Sequence, residues 1–177
     1  MRLPFLFALI LAIPFAHAAP VELDWLEMMP PEDQKALEEM PEIDHSGPEA
    51  DGFSAKGGLK QDANMPAVMY SAKTVPELNG QNIRLGGYPV PLDASEAGTF
   101  ETFFLVPYPG ACIHVPPPPP NQIVLVEFPK GFKMADIYTP IWVDGTLNIE
   151  STSSDLADAA YVLKANAVRE VEEGDLE

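Results

Sequence analysis

An all-β fold, a small closed or half-open barrel of about five strands with a short helical N-terminal extension, is the class this sequence predicts. Three observations predict it. From Met65 onward the chain breaks into short apolar runs separated by glycine and proline. Two of those runs, residues 100–106 and 123–128, are nearly continuous in apolar residues, as strands packed on both faces are. A third, residues 141–149, alternates apolar and polar side chains without a slip.

The chain begins with a segment that reads as a signal peptide, residues 1–18. Arg2 supplies the positive start, and residues 3–15 are apolar but too short for a comfortable membrane span. Ala16-His17-Ala18 is a small-x-small cleavage site, which makes Ala19 the mature N-terminus. No cysteine lies near that site to carry a lipid, and no later stretch reaches transmembrane length. A periplasmic or otherwise exported, soluble protein is expected, without stable membrane insertion after cleavage.

Residues 19–40 read as an extension of two short helical pieces. Trp25, Leu26 and Met29 form an apolar face on the first. Pro30-Pro31 interrupts it, and Pro31 suits the first turn of the second piece. Glu32 and Asp33 sit at that piece's positive end, Ala36, Leu37 and Met40 give it a narrow apolar stripe, and Pro41 stops it. Neither piece is long enough to hold its helix alone, so both must dock on the main domain or stay mobile. Residues 41–64 hold several glycines, few apolar residues and His45, and read as a flexible linker or loop.

The barrel is expected over residues 65–172, with an acidic tail at 173–177. Ile83 and Leu85 alternate with Asn82 and Arg84, and Gly86-Gly87 then marks a bulge or tight bend. Phe100–Val106 is closed by Pro107, and residues 123–128 by Pro129. In residues 141–149 the alternation runs straight through Asp144-Gly145. One long strand with an inward glycine is therefore expected in place of a hairpin turning at Asp-Gly, with Trp142 pointing outward. Residues 154–159 read as a short helical turn and residues 160–171 as the last strand.

Charge excludes some partners. The full sequence carries 27 acidic and 10 basic residues, a net charge of −17, and loss of Arg2 makes the mature chain one unit more negative. Such a surface repels phosphate backbones and anionic membranes, so no nucleic acid partner is expected. It attracts cations and basic protein surfaces.

The residues 110–122, Gly-Ala-Cys-Ile-His-Val-Pro-Pro-Pro-Pro-Pro-Asn-Gln, concentrate the chemistry. Cys112 is the sole cysteine, so no intrachain disulfide forms. Cys112 and His114 share a face of an extended segment, with Cα atoms about 6.6 Å apart at ~3.3 Å per residue. Converging side chains bring sulfur and nitrogen to the roughly 3.6 Å that one zinc ion requires. His45 and carboxylates are available as further ligands, though no spacing singles them out. The alternatives are a buried thiol acting as a small hydrophobe and a cysteine nucleophile with a histidine base. Pro116, Pro117, Pro118, Pro119 and Pro120 impose a polyproline rod about 15 Å long. It serves either as a brace between strands or as a docking tract with Trp142 and the tyrosines Tyr88, Tyr108 and Tyr138. Phosphate-cradling, zinc-protease and serine-hydrolase motifs are absent.

Gly87-Tyr-Pro-Val-Pro-Leu92, Phe103-Phe-Leu-Val-Pro-Tyr108, the 110–122 segment and Trp142-Val-Asp-Gly-Thr-Leu147 together resemble the bacterial domain-of-unknown-function 3299 family. The Leu23-Asp-Trp25 opening fits it too, so the resemblance spans about residues 23–171. It implies an exported protein with an OB-like β-barrel, encoded near ABC-transporter components and linked to zinc limitation. It supplies no catalytic set. The expected function is a non-enzymatic periplasmic accessory protein working with an ABC-type transporter in zinc or metal homeostasis. The partner would be a transporter subunit or another periplasmic protein. The alternative is a metal-free interaction module using the proline loop and exposed aromatics, and a thiol enzyme at Cys112 ranks last.

Overall fold

The computed structural model of the chain describes residues 19–40, 59–60, 65–92, 98–111 and 117–176. Its strands are β1 (Val21–Glu22), β2 (Asn82–Pro91), β3 (Phe100–Val106), β4 (Val124–Phe132), β5 (Ile141–Ser153) and β6 (Asp158–Glu170). The helix α1 (Pro31–Glu38) and a 3-10 helix (Trp25–Met28) precede the barrel. The five long strands form the ring β2-β3-β4-β6-β5, closed by pairing of β2 with β5. All ring pairings are antiparallel except β4 with β6, which is parallel. This is an all-β, closed five-stranded barrel of OB-like topology, as the sequence predicts.

Closure depends on one strand serving two neighbours. From Asn82 to Gly87, β2 pairs with β5, and from Tyr88 to Pro91 it pairs with β3. The change of partner falls at Gly86-Gly87, the expected bend. A Cβ on Gly87 would stand 2.7 Å from the Val106 carbonyl oxygen, closer than side chains tolerate.

Alternation sorts the side chains into two layers. Ile83, Leu85, Phe103, Leu105, Val124, Val126, Ile141, Val143, Leu147 and Leu163 fill the barrel. The opposite phase of β3, Phe104 and Val106, joins Val90, Ile123, Ala159, Leu59 and Ala111 in a second cluster outside it. From Phe103 to Val106 both faces of β3 are therefore buried, which explains the unbroken apolar run of those four residues. Leu59, within the stretch read as a linker, is buried and donates its backbone N–H to the Leu156 carbonyl at 2.7 Å.

β5 is one strand through Asp144-Gly145, with Ile141, Val143, Gly145 and Leu147 buried. Gly145 is required because an added Cβ would lie 2.3 Å from the Lys164 carbonyl oxygen of β6. Three sequence expectations change. β4 runs past Pro129 to Phe132, because Phe100 of β3 pairs with Phe132 beyond a register shift. The helical turn expected at 154–159 is a non-helical turn. The Ser154 N–H donates to the Ala157 carbonyl at 2.9 Å, the Ser154 hydroxyl accepts the Leu156 and Ala157 N–H groups, and β6 starts at Asp158. In the first N-terminal piece Trp25 and Met29 pack inward as expected, but Met28 is also fully buried and Leu26 is 50% exposed, because the tighter 3-10 turn rotates the apolar face.

The N-terminal arm is part of the barrel. β1 pairs in parallel with β2, and the Leu23 N–H donates to the Arg84 carbonyl at 2.9 Å. Leu23 and Met28 belong to the interior cluster. The buried Tyr161 hydroxyl donates to the Met28 carbonyl at 2.9 Å and accepts the Val75 N–H at 2.8 Å.

Gly145→Ala should force β5 and β6 apart. The expected loss is about 3 kcal/mol of unfolding free energy, the upper part of the range for overpacking, read from urea denaturation of residues 19–177.

Candidate functional site

Both tryptophans of the chain line one open cleft, of about 320 Å³, at the edge of the barrel. Gly86 forms its floor, and Glu22, Asp24 and Glu27 stand around it. Local sequence sets each part. Asp24 caps the 3-10 helix: its Oδ1 accepts the Leu26 N–H at 2.8 Å, and Glu27 Oε2 accepts the Asp24 N–H at 2.9 Å. That reciprocal box fixes Trp25 at the first helical position. The Trp25 indole N–H then donates to the Gly86 carbonyl at 2.7 Å, and Gln122 Nε2 donates to the Trp25 carbonyl at 2.6 Å.

Trp142 occupies an even, outward position of β5, as the alternation predicts, and pairs across the sheet with Gly86. Its ring rests where a Gly86 Cβ would be: the ring Cζ3 lies 2.8 Å from that point. The Arg84 guanidinium is 6.0 Å from the Trp142 ring centroid and forms two 2.7 Å hydrogen bonds with the Asp144 carboxylate. Hydrogen bonds to Asp144 hold the Arg84 guanidinium above its ordinary pKa. The Trp142 Nε1 is buried without a hydrogen-bond partner among the described residues. Indole faces rimmed by carboxylates accommodate a cation through ring quadrupole and charge together.

A second polar cluster lies where α1 meets the barrel. Asp33, only 5% exposed, accepts hydrogen bonds from the Ser71 hydroxyl, from Lys73 Nζ at 3.1 Å and from Asn121 Nδ2 at 3.2 Å. Burial alone would raise the Asp33 pKa. The donors from Ser71, Lys73 and Asn121 outweigh it, and the carboxyl sits below its ordinary value. Asn121 is fully buried and also donates to the Lys73 carbonyl at 3.0 Å. The two amides after the proline rod therefore grip the N-terminal arm, Asn121 at Asp33 and Gln122 at Trp25. Pro117, Pro118 and Pro119 are buried, while Pro120 is partly exposed and opens a short 3-10 helix.

Cys112, His114 and Pro116 lie outside the described residues, and so does His45. Among the described residues no three His, Cys, Asp or Glu side chains gather as a metal site, and no helix is long and apolar enough to cross a membrane. Sequence reasoning placed Trp142 outward but missed Trp25 as its neighbour, reading it as one residue of an apolar helix face. The Asp24/Glu27 capping box was the available signal. It also passed over Asn121 and Gln122, polar amides directly after a run that has no N–H donors.

Asp33→Asn should weaken the arm's attachment. A depressed carboxyl pKa stabilises the fold above the unfolded-state value, and that contribution is lost as pH falls through the folded-state value. The stability difference between wild type and Asp33→Asn is therefore expected to be full at neutral pH and to shrink below about pH 4. Urea midpoints of both chains across that range check it.

No protein among the curated ones matches the chain. A solved relative does: the crystal structure of a DUF3299 family protein, PA4066, from Pseudomonas aeruginosa PAO1 at 2.45 Å resolution. The two are 39% identical with a TM-score of 0.66, over 88% of this chain and 98% of that one. The family described as protein of unknown function (DUF3299) matches residues 25–170, from Trp25 of the cleft to the last residue of β6. The chain belongs to the DUF3299 family.

Proposed function

We propose that this protein is a non-enzymatic binding module of the exported compartment, and that the Trp25–Trp142 cleft receives a basic side chain of a partner protein. The observation that carries this reading is the convergence of both tryptophans on one acidic-rimmed cleft. Residues 1–18 support export, and the net charge of −17 favours a basic partner surface. A transporter subunit, or another periplasmic protein with an exposed lysine or arginine, fits that chemistry. The cleft presents acceptors and aromatic faces for binding, and the reading assigns no covalent step to it.

A lysine- or arginine-containing peptide should change the tryptophan fluorescence of the mature chain on titration. Trp142→Ala and a Glu22→Gln, Glu27→Gln double variant should each weaken binding about tenfold, or ~1.4 kcal/mol. Equal affinity in wild type and Trp142→Ala would remove the cleft from the proposal.

Zinc handling beside an ABC-type transporter is the second reading, favoured by the Cys112-x-His114 spacing and by the family context it resembles. Equilibrium dialysis of the mature chain against zinc tests it. Loss of binding in a Cys112→Ala, His114→Ala double variant is the expected result, and unchanged binding removes this pair from consideration.

A further inference from the structure

A third apolar cluster, away from the cleft, has an unusual composition. It lies between α1 and the 3-10 helix Ala67–Tyr70 and contains Met29, Val68 and Met69, with Leu37, Met40 and Met65 packed against it. Four of these six residues are methionine, in a chain that has seven. The far larger barrel interior has only Met28 and Met134, and the outer cluster has none. Leucine, valine, isoleucine, phenylalanine, alanine and tyrosine fill most of the other two cores, so methionine is concentrated in this one.

We propose that Met29, Met40, Met65 and Met69 form a thioether site for a soft monovalent cation, copper(I). Thioether sulfur is a neutral, polarizable ligand that selects copper(I) over zinc and other borderline or hard ions. Met29 and Met69 are 1% and 5% exposed and supply a dry inner side, while Met40 and Met65 are half-buried and form the outer side. The Met65 N–H donates to the Tyr70 hydroxyl at 3.0 Å, which ties Met65 to the helix that carries Met69. Access is built in. A cavity of about 480 Å³, lined by Glu32, Asp33, Ser71 and Lys73, shares Val68 with the cluster. The chain's net charge of −17 draws cations towards its surface as a whole.

Neutral thioethers need no deprotonation, so this site should keep its affinity in mild acid. A thiolate or imidazole site should lose affinity as its ligands protonate. That difference separates it from Cys112 and His114. The test uses the mature chain carrying Cys112→Ala, which competes for copper(I) supplied as its bicinchoninate complex. The expected result is uptake of about one equivalent at both neutral pH and about pH 5.5. Met40→Leu with Met65→Leu, a near volume-conserving change at half-buried positions, should weaken uptake at least tenfold. A measurement on the unaltered side chains guards against misfolding of that variant. In methyl-labelled methionine spectra, silver(I) should shift the signals of Met29, Met40, Met65 and Met69 and leave Met28 and Met134 in place. No uptake by the Cys112→Ala chain, unchanged uptake by the leucine variant, or methyl signals that do not move would each overturn the proposal.

Discussion

Gly86 and Gly87 are the point on which the barrel and the cleft both depend. At this step β2 leaves β5 and takes up β3, and that exchange closes the ring. The change of partner brings three elements against two residues. The Val106 carbonyl and the Leu105 side chain press on one side of Gly87, Trp25 Cζ2 comes within 3.0 Å of where its Cβ would be, and Trp142 lies across Gly86. Any side chain at either position would have to displace a backbone or an indole ring. The same two glycines therefore close the sheet and seat both tryptophans.

The N-terminal arm follows from that seat. Trp25 reaches the Gly86 carbonyl, Met28 enters the barrel interior, and Tyr161 spans from β6 to satisfy the Met28 carbonyl. The proline rod contributes by what it lacks. Prolines have no N–H, so burying Pro117, Pro118 and Pro119 leaves no backbone donor to satisfy at those positions. Polar work passes to Asn121 and Gln122. The Asn121 backbone N–H donates to the Ser71 carbonyl at 3.1 Å while its side chain holds Asp33. Pro117, Pro118 and Pro119 are buried, and the amides that follow the prolines fasten the arm.

The strands were legible because their signal is local. Residues 141–149 alternate with a period of two, and the glycine at 145 kept its inward phase, so a strong Asp-Gly turn signal lost to the pattern around it. Residues 103–106 showed an unbroken apolar run because an outer layer covers the barrel there. The end of β4 was not legible, since pairing with Phe100 carries the strand past a proline. The cleft was only half legible. Trp142 could be phased from its own strand, but its union with Trp25 depends on contacts across 61 and 97 residues of sequence, which no periodicity encodes. The polar grip on Asp33 was hidden in the same way: a first-turn aspartate reads as a helix-dipole partner, and only the fold brings Ser71, Lys73 and Asn121 to it.

The central claim is that the bend at Gly86-Gly87, the ring closure and the N-terminal arm form one cooperative unit. Native-state hydrogen exchange tests it directly, at the Leu23 amide that donates to Arg84 and the Trp25 indole N–H that donates to Gly86. The account predicts that both are protected to within about tenfold of the slowest β2 and β5 amides, because they open only when the barrel unfolds. Exchange hundreds of times faster at Leu23 and Trp25, with the barrel amides still protected, would show that the arm detaches on its own and would contradict the claim.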